Sequence, residues 1–151
     1  MDLYNELFSI VREFSRNDIK YSIIGGIAMA LHDEPRFTKD IDFLIMSEEI
    51  DNVRGLLEKL GYFESAEPWK FKKTDLTLHR FMKTEGEEHL IVDILVGNEE
   101  KHKRIIVDSI EEEWEEGKIR IISKADLIWM KELRNSDQDR VDIGRLKNDK
   151  D

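Results

Sequence analysis

Tyr21-Ser22-Ile23-Ile24-Gly25-Gly26 and, after thirteen intervening residues, Asp40-Ile41-Asp42-Phe43-Leu44-Ile45 are the two stretches that decide the fold. The first reads as a short apolar strand over residues 21 to 24, broken by a glycine pair before an Ala-rich turn of helix over 27 to 32. The second alternates and then turns wholly apolar, the pattern of a buried strand. Side chains two apart on a strand share a face, so Asp40 and Asp42 present two carboxylates side by side while Ile41 points to the opposite layer. Two acids so placed repel unless a cation sits between them, and Mg²⁺, a hard ion that takes carboxylate and phosphate oxygens, suits that place. A strand ending in Gly-Gly lets the backbone approach a ligand closely and aims the N–H groups of the next helix at an anion. Either half alone is common on loops and turns; the combination is informative.

Outward from this centre, Leu3, Leu7, Ile10, Val11 and Phe14 recur at helical spacing, predicting an amphipathic helix over 2 to 16. Val53, Leu56, Leu57 and Leu60 predict another over 48 to 60, with Gly61 as its stop. Strands are expected at 69 to 73, 76 to 82, 89 to 95 and 118 to 122, with Lys83 to Glu88 as a hairpin loop. Ser123 can cap a helix over 124 to 135, and Asp137 a last helix through Lys147. No repeat, linker or composition break divides the chain, so one α+β domain is expected, with a short mixed or antiparallel sheet flanked by helices.

Composition bounds the function. Against 24 Lys and Arg stand 34 Asp and Glu, a formal charge of −10. Residues 85 to 116 hold 12 acids and 3 bases, leaving 22 acids and 21 bases elsewhere, which argues against nonspecific duplex binding, whose affinity comes from neutralising phosphates. The run Glu111 to Glu116 reads as a solvated face, and the five bases between Lys70 and Lys83 as the outer face or edge of a sheet. Absence of cysteine excludes disulfides and thiolate chemistry. The longest stretch free of charge and histidine, residues 21 to 31, is too short to span a bilayer, and the N-terminus shows no secretory pattern, so a cytoplasmic protein is expected. The histidines at 32, 79, 89 and 102 lack zinc-site spacing, with His79 read as a surface or groove residue; Trp69, Trp114 and Trp129 read as packing residues.

Ile91-Val92-Asp93-Ile94-Leu95 adds a third acid, the only charge in its strand. A lone acid in an apolar strand is costly unless paired or metal-bound, which makes Asp93 a site candidate in its own right. Taken together, Ile24-Gly25-Gly26, Asp40-Ile41-Asp42-Phe43 and this later carboxylate resemble the nucleotidyltransferase superfamily that includes DNA polymerase beta and the small antibiotic nucleotidyltransferases. Arg36-Phe37-Thr38-Lys39-Asp40-Ile41-Asp42 is similar to the Arg-x-Thr-x-Asp-apolar-Asp run of AbiEii-type toxin nucleotidyltransferases. Residues 122 to 146 are similar to the C-terminal helical pair that closes those domains and to the end of lincosamide-type nucleotidyltransferases.

The resemblance implies a single nucleotidyltransferase domain over 1 to 151 that moves a nucleoside monophosphate from an NTP to an acceptor hydroxyl with Mg²⁺ or Mn²⁺. Asp40 and Asp42 would hold the metal on the triphosphate, and Asp93 would complete a second metal site or deprotonate the acceptor. Gly25, Gly26, Arg36, Thr38 and Lys131 would bind the nucleotide, with Asp142 near the same pocket or holding Lys131. A tRNA end, a protein side chain or a small molecule would be the acceptor, and an antitoxin a possible partner. Read without the family, Lys131 and Arg134 are i, i+3 neighbours on a solvated helix face. The opposing expectation is a catalytically silent nucleotide-binding or partner-binding module with the same fold.

Overall fold

The computed structural model describes residues 1–32, 38–71 and 74–148. Helix α1 (Leu3–Arg16) starts where the Asp2 carboxylate accepts a hydrogen bond from the Asn5 N–H at 2.9 Å. Strand β1 (Ser22–Ile24) runs directly into helix α2 (Gly25–Leu31), so the glycine pair opens the helix instead of preceding it. Strand β2 (Asp40–Met46) leads through a 3₁₀ turn to helix α3 (Ile50–Lys59). Short strands β3 (Phe63–Glu64) and β4 (Trp69–Lys70) precede the long hairpin of β5 (Thr77–Glu85) and β6 (Glu88–Gly97). Helix α4 (Glu100–Val107), strands β7 (Ile110–Trp114) and β8 (Gly117–Ile121), and helices α5 (Lys124–Arg134) and α6 (Asp137–Asn148) complete the described chain.

The strands form one mixed sheet in the order β3-β5-β6-β2-β1-β8-β7, with β4 also paired to β5. At its centre β2 runs antiparallel to β1 and parallel to β6. On one side of β2, Phe43 meets Phe14 of α1 and Tyr21 with ring centroids 5.1 and 5.7 Å apart, so the alternation in 40 to 45 buries Ile41, Phe43 and Ile45 completely. The acidic face of the same strand is left for the cleft. Helices α5 and α6 pack on each other and close that cleft, as the C-terminal helical pair was expected to do. Among the described residues no helix is long and apolar enough to cross a membrane.

Several local expectations change for identifiable reasons. The segment 83 to 88 is mostly strand: pairing continues to Glu85↔Glu88, and Gly86, at φ +61°, makes the turn with Glu87. Its charged residues find partners that a loop reading omits, since Lys83 reaches Glu6 of α1 at 2.9 Å. The acidic run 111 to 116 keeps its exposed carboxylates but forms an edge strand, with Glu111 opposite Arg120 and Glu113 opposite Lys118. Trp114, read as a packing residue, folds back to stack on Tyr4, with centroids 6.3 Å apart. Helix α4 begins without an apolar stripe to announce it, through a capping box between Glu99 and His102. Ser136, one residue before the expected Asp137, caps α6: its hydroxyl accepts from the Asp139 N–H at 3.0 Å while the Asp139 carboxylate accepts from the Ser136 N–H at 3.0 Å. The predicted strand at 69 to 73 is described only as Trp69–Lys70, and Lys72 and Lys73 lie outside the described residues.

Candidate active site

Strand register, more than sequence proximity, assembles the site. Ile24 of β1 pairs with Asp42 of β2, Asp42 with Asp93 of β6, and Asp93 with Arg80 of β5. Paired residues of adjacent strands share a face, so Asp42, Asp93 and Arg80 form a row across the sheet, and Asp40 stands two residues along β2 on that same face. The row floors a cavity of about 490 Å³. Gly25, Gly26 and Thr38 bound it at the start of α2 and β2; Leu127, Met130, Lys131, Arg134 and Asp139 roof it from α5 and α6; Phe71, Leu76 and Leu95 form an apolar wall. Of the eight residues expected in the site, the structure brings seven to this cavity: Gly25, Gly26, Thr38, Asp40, Asp42, Asp93 and Lys131. The eighth, Arg36, lies outside the described residues.

Gly25 is required twice over. Its φ of +71° is a left-handed conformation that disfavours any side chain, and a Cβ there would sit 2.3 Å from Oδ2 of Asp42. The missing side chain is what lets the turn pack against the carboxylate. Gly25→Ala is expected to cost about 1–2 kcal/mol through the backbone alone, with a further loss from displacing Asp42. Thermal melting and nucleotide titration check this; a Gly25→Ala protein as stable and as avid as the parent would overturn it.

Thr38 uses its hydroxyl locally: Oγ1 donates to the Asp40 carbonyl at 3.2 Å, which fixes the entry into β2. Burial foremost, then the charges of Asp93 and Asp40, push the Asp42 carboxyl up to about 7, against the pull of Arg134 and Lys131. Among the described residues no hydrogen bond is made to the half-buried Asp42 carboxylate. Asp93 is handled differently. Arg80 donates to it from Nε at 2.8 Å and from Nη2 at 2.9 Å, a bidentate pair.

Lys131 is where the structure departs furthest from the solvated-face reading. Its side chain is 4% exposed, with Nζ 3.0 Å from Oδ2 of Asp142 and 3.9 Å from Oδ1 of Asp139, both acids being fully buried. Gln138 donates to the other oxygen of Asp142 at 2.8 Å. Arg134 makes two 2.7 Å bonds to Asp139. Burial pushes Asp139 up, but the bonds from Arg134 and Ser136 outweigh it and hold the carboxyl at about 2.

Arg80, Arg134 and Asp139 are cavity residues that the sequence reading missed. The signal for Arg80 lay in the hairpin: a two-residue turn at Gly86-Glu87 puts residue 80 opposite residue 93. Reading 83 to 88 as a loop conceals that register.

The donor set suits a hard divalent cation. Asp40 and Asp42 offer carboxylate oxygens on one face, and the unbonded, repelled carboxylate of Asp42 is a group that such an ion would relieve. Among the described residues no three acids or histidines converge as a metal-holding group, and Asp93 is turned onto Arg80.

In fold the chain is similar to ANT(2")-Ia, both in its crystal structure in complex with adenylyl-2"-tobramycin (TM-score 0.59, 19% identity, 94% of this chain and 85% of that one) and in its solution structure (TM-score 0.57, 19% identity, 97% and 83%). It is similar also to TM1012 from Thermotoga maritima (TM-score 0.56, 13% identity, 97% and 89%). At such identities the likeness concerns the fold. Comparison with curated proteins finds no match. A family model described as "Nucleotidyltransferase of unknown function (DUF6036)" matches residues 3–147. With its glycine turn, its Asp40-Ile41-Asp42 strand and a family match over nearly its whole length, the chain belongs to this nucleotidyltransferase family.

Proposed function

We propose that residues 1 to 151 act as one nucleotidyltransferase domain that moves a nucleoside monophosphate from an NTP to an acceptor hydroxyl in the cytoplasm, with Mg²⁺ or Mn²⁺. The observation that carries this reading is the register that sets Asp42 beside Asp93, with Asp40 on the same face and the Gly25 turn against Asp42. Asp40 and Asp42 would hold the cation, which when bound offsets charge on the triphosphate. Gly25, Gly26, Thr38 and Lys131, which line the cavity, would position phosphates together with Arg36. Asp93, on the neighbouring strand, serves the acceptor side, as base or as ligand of a second cation. The acceptor oxygen bonds to the α-phosphorus, the bond from that phosphorus to the bridging oxygen breaks, pyrophosphate departs, and the hydroxyl proton passes to a base.

The acceptor is a tRNA end, a protein side chain or a small molecule, and an antitoxin would be a partner if the chain is a toxin. The adenylylated tobramycin bound to ANT(2")-Ia supports including small molecules. The test is incubation with each α-labelled NTP and Mg²⁺ or Mn²⁺ against total RNA, cell lysate and an antibiotic panel. Label is expected on one acceptor class, and only with metal. Because burial and the neighbouring acids push the Asp42 carboxyl up to about 7 and a cation must displace its proton, metal affinity is expected to rise as pH increases through that value. No label transfer from any NTP with either metal would overturn the reading, and a metal affinity unchanged from pH 6 to about 8 would remove Asp42 from the cation site.

A further inference from the structure

Arg80 is bonded directly to the acid row, and the backbone puts it there. Its register partner is Asp93, so the pair follows from hairpin pairing instead of a chance side-chain excursion. The guanidinium takes both carboxylate oxygens, at 2.8 and 2.9 Å, and lies over the Trp69 ring at 5.4 Å from its centroid. An arginine keeps its charge at any working pH and presents a rigid planar fork. Asp93 is 8% exposed, while Mg²⁺ gives up its hydration waters reluctantly and wants six ligands.

We propose that Arg80 supplies the positive charge that a second divalent cation would otherwise bring to Asp93, so that the site takes one metal ion, on Asp40 and Asp42. The inference rests on the metal-dependent transfer proposed above and chooses between the two roles left open there for Asp93. Charge favours it: Arg80 already offsets the negative charge of Asp93, so a second cation there would meet the repulsion of the guanidinium as well as the attraction of the carboxylate. Geometry favours it too, since the Arg80 fork occupies the chelating edge of the carboxylate and leaves a second cation only a single lone pair on either oxygen. Each oxygen keeps a further lone pair after accepting from Arg80, so Asp93 still has an acceptor to turn toward a substrate hydroxyl, now at a fixed angle. Arg80 is thus a positioning residue for Asp93 and for the number of cations the site holds.

The test is a count of bound Mn²⁺ by the electron paramagnetic resonance of the free ion, with the full chain and each of the four α,β-nonhydrolysable NTP analogues. The parent is expected to bind one Mn²⁺ per chain, Asp93→Asn also one, and Arg80→Met two. Arg80→Lys keeps the charge but loses the fork; it is expected to bind one Mn²⁺ and the parental amount of nucleotide, while transfer falls by the ~10–100-fold typical of losing an orienting partner. Two Mn²⁺ in the parent, with one lost in Asp93→Asn, would overturn the inference and leave the metal-dependent reading standing. One Mn²⁺ in a folded Arg80→Met protein would overturn it as well. No bound Mn²⁺ in the parent with any analogue would overturn both. If Arg80→Met does not fold, the parent and Asp93→Asn counts decide alone.

Discussion

Asp42→Asn is expected to lose both nucleotide binding and transfer, whereas Asp93→Asn keeps binding and loses transfer by the ~10²–10⁴ of a missing general base. Asp42 and Asp40 share a face of β2 beside the glycine turn, where the cation on the triphosphate would lie, and Asp42 has no hydrogen-bond partner among the described residues that could substitute for a metal. Asp93 belongs to β6, on the side of the apolar wall, and answers to Arg80. Replacing its carboxylate by an amide removes one negative charge near a polyanionic ligand, so affinity for the metal–nucleotide complex holds or rises slightly. The same change sets an amide N–H donor against the donors of the Arg80 fork, so a lower melting temperature is expected in Asp93→Asn and must be measured beside activity. Calorimetric NTP titration and labelled transfer on the two variants at a temperature where both are folded separate the roles. Parental transfer in Asp93→Asn would make Asp93 an ordinary strand residue and end the three-carboxylate mechanism.

Lys131→Ala should be among the most destabilising single changes in the chain. A lysine on a solvated helix face could be truncated within about 0.5 kcal/mol. Here the ammonium is 4% exposed against two fully buried carboxylates, and removing it takes from Asp142 the cation that faces one of its oxygens, while the Gln138 amide stays on the other. Breaking such a buried pair by deleting one partner costs about 3–5 kcal/mol, whereas replacing both partners by apolar residues is far milder. Lys131→Met with Asp142→Leu is therefore expected to melt well above Lys131→Ala. The helix pair also carries a pH response, set by Arg134 and Ser136. Asp139, held down to about 2 by Arg134 and Ser136 against burial, contributes stability that is present above its unfolded value near 4 and is lost as pH falls toward 2. The parent is thus expected to lose helix-pair stability on acidification. A Lys131→Ala protein that melts with the parent across that range would return Lys131 to the solvated face.

Much of the site is legible along the chain because its signals are local. The alternation in Asp40-Ile41-Asp42 sets two carboxylates on one face whatever packs against it, and a glycine pair ending an apolar strand marks a turn with no room for a side chain. Asp93 is conspicuous for the same kind of reason, as a single charge that its apolar neighbours cannot solvate. Helices α1 and α3 and strands β2, β5 and β6 follow from periodicities of 3.6 and two that survive without knowledge of any contact, whereas β3, α4 and β7 carry no such signal and the closing role of the helical pair came from the resemblance. Tertiary structure decided the rest, because it depends on which distant residues meet. Whether Arg80 lies on an outer face or over Asp93 turns on where the hairpin turn falls, and a slip in register would move every side chain of β5 to another partner. Whether Lys131 is solvated or buried turns on α6 folding back against α5, since the helix pattern alone shows only that Lys131 and Arg134 share a face and cannot show that Asp139 and Asp142 arrive opposite them.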